Sequence, residues 1–111
     1  MNARVTIIAF CSDERGMLLS TASNSYVKTH PLQKYFAEKV GHPEKIYLHA
    51  EIAAILKCKD KKIHTIKIFR YGADGATMMA KPCPICMEAI KAFAIPEVIY
   101  SSNKGMIRME N

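Results

Sequence analysis

Two short stretches hold the residue types that metal-assisted hydrolysis needs: His49-Ala50-Glu51 and Pro82-Cys83-Pro84-Ile85-Cys86. Zinc takes four ligands tetrahedrally, and a catalytic zinc draws three from protein and leaves the fourth place to water. His49, Cys83 and Cys86 supply three. Glu51 is then free to move protons rather than bind metal. Bulk water is too weak a nucleophile for an unreactive carbon at neutral pH. Zinc lowers the pKa of its water toward neutrality, and a neighbouring carboxylate takes and returns the protons.

Both half-sites read as helix starts. Proline suits the first helical position, where its missing N–H is not needed. Pro84 therefore places Cys83 at an N-cap and Cys86 in the first turn. Two helix N-termini meeting at a metal favour the thiolate form of both cysteines. The helix from His49 to about Lys57 carries Ile52, Ala53, Ala54, Ile55 and Leu56, with almost no polar face. A helix that is apolar nearly all round is buried.

The remaining elements must hold these two helix starts together. Arg4 to Phe10 and Met17 to Ala22 read as strands of a hairpin around Ser12–Gly16. Asn24 to His30 is a polar loop, with Thr29 as a helix cap before Pro31. Pro31 opens a helix to about Val40, with Leu32, Tyr35, Phe36 and Val40 on its apolar face. Gly41 and His42-Pro43 end it. Ile63 to Tyr71 is a strand, with Ile66 and Ile68 on one face. The second metal helix runs from Pro84 to about Ala94, with Ile85, Ala89, Ile90 and Phe93 inward. Val98 to Ser101 and Met106 to Met109 close the chain as strands. Their turn, Asn103-Lys104-Gly105, is too short for a crossover, so this pair is antiparallel. Alternating strands and helices in the second half imply a parallel crossover. The expected fold class is α/β, three α/β/α layers around a mixed five-stranded sheet, in a single domain over residues 1–111.

Composition narrows the function class. Half of the 111 residues are apolar, as in a globular chain. No signal peptide or membrane-spanning run is visible. The four cysteines include one metal-type pair, with Cys11 and Cys58 left as inert thiols. That usage suits a reducing, cytoplasmic setting. The formal charge of +6 favours an anionic partner, nucleotide or nucleic acid. Lys57, Lys59, Lys61 and Lys62 form its densest run, read first as a solvated helix end.

The order H-x-E then P-C-x-x-C is the signature of zinc-dependent base deaminases, and in these residues the chain resembles the cytidine deaminase-like superfamily. The similarity spans most of the chain, from the first hairpin to the last strand. It implies the mixed five-stranded fold, a Zn2+ cofactor on His49, Cys83 and Cys86, and Glu51 as catalytic proton shuttle. Asn24 matches the asparagine that holds the substrate's sugar or base, and Ala50 stands where backbone contacts reach the base. The resemblance also implies a homo-oligomer. From the loop itself, Lys28 beside Thr29 is a candidate for a 5′-phosphate.

The chain also departs from the branches of that superfamily. Nucleoside deaminases have cysteine where this chain has His49, and glutamate where it has Tyr26. The tRNA adenosine deaminases share His-Ala-Glu but carry glutamate at the position of Lys81 and extend beyond the equivalent of Asn111. The antiparallel final pair resembles the nucleoside branch. The expectation is hydrolytic deamination of a cytosine nucleoside or mononucleotide, cytidine, deoxycytidine or dCMP, to the uracil product and ammonia. Two other readings stay open. One is a deaminase acting on a base in single-stranded nucleic acid or on a purine base. The other is a non-enzymatic zinc-stabilised module, with Cys58, His42 or His64 as fourth ligand.

Overall fold

The sheet is built on a row of small and branched residues that face the helices. In this computed structural model, which describes residues 5–110, β1 (Thr6–Ser12) pairs antiparallel with β2 (Leu18–Ser23) and with β3 (Thr65–Tyr71). Registers place Ala9 opposite Ala22 and Ile68, and Cys11 opposite Ser20 and Ile66. Successive strand residues point to opposite faces, so these six share one face, and all are buried. β5 (Glu97–Ser102) runs parallel to β3 and continues the row with Val98 and Tyr100. β6 (Gly105–Glu110) returns antiparallel to β5, as its short turn requires. The strand order is β2-β1-β3-β5-β6.

Three helices complete the chain: α1 (Pro31–Lys39), α2 (Ala50–Cys58) and α3 (Pro84–Ala92). α2 lies on β1 and β2. The small side chains there let it approach closely, and the Ser20 hydroxyl donates to the Ala54 carbonyl at 2.7 Å. α3 packs against both α1 and α2. The three helices therefore form one connected layer, so the expected third layer is not seen among the described residues. The other sheet face, around Phe10, Lys67, Phe69 and Ile99, carries no helix there.

The α/β class, the mixed sheet and its parallel β3–β5 crossover match the sequence reading. Several details differ. A sixth, two-residue strand β4 (Thr77–Met78) pairs with the end of β3, too short to leave a periodic signal. The first strand is centred further along than expected, and Arg4 lies outside the described residues. His30, not Thr29, caps α1, its Nδ1 accepting from the Leu32 N–H at 3.0 Å. Thr29 instead makes an isolated β-bridge to Tyr47. Tyr35 and Phe93 are exposed. The buried stripe of α1 is Gln33, Phe36 and Ala37, at i, i+3, i+4 spacing, with a polar residue occupying a core place. Phe93 falls at the C-cap of α3, just past its last inward turn.

Candidate metal centre

Helix geometry brings the two motifs together. His49 is the N-cap of α2 and Cys83 the N-cap of α3; neither side chain caps its own helix. Both are thereby free to turn toward each other, and Cys86 sits in the first turn of α3 as its spacing demands. The ligand atoms of His49, Cys83 and Cys86 all lie within 4.8 Å of one another. His49 Nδ1 is 3.3 Å from Cys86 Sγ and 3.5 Å from Cys83 Sγ. In a tetrahedral zinc site, nitrogen and sulfur ligands stand about 3.5 Å apart, so the spacing and the donor set fit that metal. No fourth protein donor joins this group among the described residues. Cys58 pairs with Ser20, His42 with Glu44 and His64 with Thr65.

The thiols share their protons unequally. The Cys86 thiol, donating to Cys83, holds the Cys83 thiol down at about 4 against the cost of burial, with His49 assisting. The same bond, together with burial, pushes Cys86 well above its ordinary value. The expected pair of thiolates is thus one thiolate and one thiol. Two adjacent anions repel until a cation joins them. His49 is raised, chiefly by its bond to Cys83.

Glu51, in the first turn of α2, is buried, and burial raises its carboxyl above the usual range. It borders a cavity of about 480 Å³ together with His49, Ala50 and Cys83, within the volume range of small-molecule sites. The cavity lies where the N-termini of α2 and α3 meet the carboxyl end of β3. Ligand sites of open α/β sheets favour such strand ends.

The sequence model of one family, the cytidine and deoxycytidylate deaminase zinc-binding region, matches residues 4–102. The chain belongs to that family. No curated protein matches the chain. As a deaminase-family domain with a His/Cys/Cys set, it has zinc as its cofactor, and its architecture supports zinc-dependent deamination as the reaction class.

The substrate side of this deaminase domain is distributed unevenly over the expected residues. Asn24 and Ala50 line the cavity. Asn24 is also structural: its Oδ1 accepts from the Ile7 N–H at 2.9 Å and its Nδ2 donates to the Val5 carbonyl at 3.3 Å. An amide has two donors and two lone pairs, so these two bonds use one of each. Tyr26, which stands where nucleoside deaminases carry glutamate, also borders the cavity, and its hydroxyl bonds the Val5 carbonyl. Lys28 does not line the cavity; it is exposed, and its carbonyl accepts from the Leu48 N–H. The cations that do line it are Lys45, Arg70 and Lys81.

Sequence reasoning missed the residue that holds His49 in place. Gln33 of α1 is fully buried. Its Oε1 accepts from the His49 N–H at 3.2 Å, and its Nε2 donates to the Lys45 carbonyl at 3.1 Å. One side chain thus pins two points of the segment that leads into the metal helix, Lys45 and the N-cap His49. Its only signal was a polar residue at the buried phase of an amphipathic helix. Gln33→Leu removes both bonds and leaves the half-buried His49 N–H without its acceptor, at about 1–3 kcal/mol. The expected result is a lower urea midpoint at unchanged m-value, with weaker zinc retention in a chelator competition.

Proposed function

We propose that this domain hydrolyses the exocyclic amine of a cytosine nucleoside or mononucleotide, giving the uracil product and ammonia. The observation that carries the reading is a three-donor centre with no fourth protein donor among the described residues, two of whose donors, His49 and Cys83, border one cavity with buried Glu51. A structural zinc is closed by four protein ligands, whereas a catalytic one leaves a position open. The closed-module alternative needs a fourth ligand that none of the described residues supplies.

When bound there, zinc supplies Lewis acidity that makes water a usable nucleophile near neutral pH. Glu51 takes a proton from the attacking water and delivers it to ring nitrogen N3. It then carries the second water proton to the departing amine, so that one water is consumed and one ammonia leaves. Burial moves its pKa upward, toward the range where a proton carrier works best. Ala50 is the first residue of α2. The first four N–H groups of a helix have no intrahelical acceptor, which supports a role for its N–H as donor to a base carbonyl. Asn24 contributes the N–H not used by Val5 to the sugar.

The test is ammonia release from zinc-loaded protein across cytosine, cytidine, deoxycytidine, CMP, dCMP, the matching adenine and guanine compounds, and a cytosine-containing single-stranded oligonucleotide. Turnover of a cytosine nucleoside or mononucleotide is expected. Turnover confined to purines or to the oligonucleotide would overturn the substrate assignment. Zinc bound by four protein atoms in X-ray absorption, with no turnover, would overturn the enzyme.

A further inference from the structure

Arg70 occupies a position that the sheet's own pattern reserves for an apolar residue. It follows Ile66 and Ile68 on the same face of β3, and both of those are fully buried. Its register partners are Ile7 on β1 and Met78 on β4. The guanidinium therefore continues the core row, yet it borders the cavity shared by His49, Glu51 and Cys83. Its Nε is buried without a hydrogen-bond partner, and no ion pair engages the side chain among the described residues. Two acids, Glu44 and Glu51, line the same cavity, and neither pairs with it.

Arg70 is half-buried, but its Nε donor is cut off from water, and a buried donor is costly unless something pairs with it. The backbone around it is nevertheless well held. The Arg70 N–H donates to Ser101 Oγ at 3.0 Å, and that hydroxyl donates to the Met78 carbonyl at 2.8 Å. Ser101 is itself buried, and its carbonyl accepts from the Ala80 N–H at 2.9 Å. The strand end is thus braced to the segment that leads into Cys83, while the Arg70 Nε is left without a partner among the described residues. A neutral carbonyl on a ligand would answer its hydrogen bonds but not its charge. A phosphate would answer both, because the guanidinium fork matches two of its oxygens at once. Lys45 and Lys81, exposed along the same lining, add positive charge.

We propose that Arg70 is the specificity-determining residue of this site and pairs with the phosphate of a nucleoside 5′-monophosphate. The assignment rests on the proposed function for the site as a base-binding cavity and selects the phosphorylated branch of it. It moves the phosphate contact from Lys28, which does not line the cavity, to the end of β3.

The decisive experiment is calorimetric binding to zinc-loaded protein of matched pairs, each nucleoside against its 5′-monophosphate, for cytosine, adenine and guanine, with ammonia release in parallel. Binding is read independently of turnover, so a wrong assignment of the reaction does not hide the result. The monophosphate should bind more tightly than its nucleoside. Arg70→Gln should shrink that ratio about 30-fold or more, the scale of removing one partner from a buried charge pair. Arg70→Lys, which keeps the charge but not the fork, should restore part of it. Thermal melts of both variants establish that each is folded. Equal binding of nucleoside and monophosphate in every pair would overturn the proposal, as would a phosphate preference that Arg70→Gln leaves intact. Tighter binding of an unphosphorylated cytosine oligonucleotide than of any monophosphate would also overturn it, in favour of a polymer.

Discussion

Glu51→Gln is expected to retain zinc and lose turnover by a factor of about 100 to 10,000, the range that a positioned general acid–base group supplies. The substitution is nearly isosteric, so it isolates proton transfer from packing. Glu51 is buried in the first turn of α2 and borders the cavity beside His49 and Cys83. Glutamine fills the same space but cannot take a proton from water. Because Glu51 does not join the ligand group, zinc content per chain should stay at the wild-type value. The measurement is kcat from ammonia release beside metal content by mass spectrometry. If kcat is unchanged, proton transfer belongs to another group. A loss of zinc along with activity would instead make Glu51 a ligand.

Withdrawing zinc should be the second large effect, acting on both activity and stability. A chelator, or Cys86→Ala, should abolish turnover. It should also lower thermal stability, because a ligand that binds only the folded chain stabilises it. At a thousandfold excess over its dissociation constant, that linkage is worth about 4 kcal/mol. For a domain of this size the corresponding fall in Tm is about 15 °C. The response should depend on pH with a definite sign. Without metal, His49 and Cys86 are both raised, so each holds its proton to a higher pH than usual, whereas Cys83, at about 4, has already lost its own near neutral pH. Zinc requires neutral imidazole and thiolate, so loading it expels protons. Affinity should therefore rise with pH. Where Cys86 is protonated and His49 largely neutral, the slope should approach about tenfold per pH unit, steepening as His49 also becomes protonated. A pH-independent affinity would show that these protons are not displaced. Chelation without change in Tm would show that the metal contributes nothing to the fold.

The metal centre was legible in the sequence because its chemistry is local. Zinc needs particular side chains, and a CPxC turn sets one helix start while His-Ala-Glu sets another. Each motif positions its own residues within a single turn, so spacing alone identifies the cysteine pair and sets the glutamate beside the histidine. The antiparallel final pair of strands was equally readable, since a short turn leaves no other connection. Periodicity likewise located α1, α2, α3 and the main strands to within a few residues.

Periodicity says that a residue faces something, but not what it faces. Gln33 has the spacing of a core residue and the chemistry of a surface one; only folding shows it bonded twice to the backbone of the segment that leads into the metal helix. Arg70 reads as an ordinary strand residue. Its meaning appears only when β1, β4 and the two metal helices close around it into a cavity. Tyr35 and Phe93 look like core from composition and are turned outward by the phase and the end of their helices. Lys28 and Lys45 are both loop lysines, and tertiary structure alone put the second at the cavity and left the first outside. The sequence by itself determined the metal, its ligands as a set and the reaction class they serve, because those depend on residue type and short-range geometry. Which cations and which buried polar groups surround that centre was decided by contacts between distant segments. Such contacts are set by how the whole chain packs, and no local pattern encodes them.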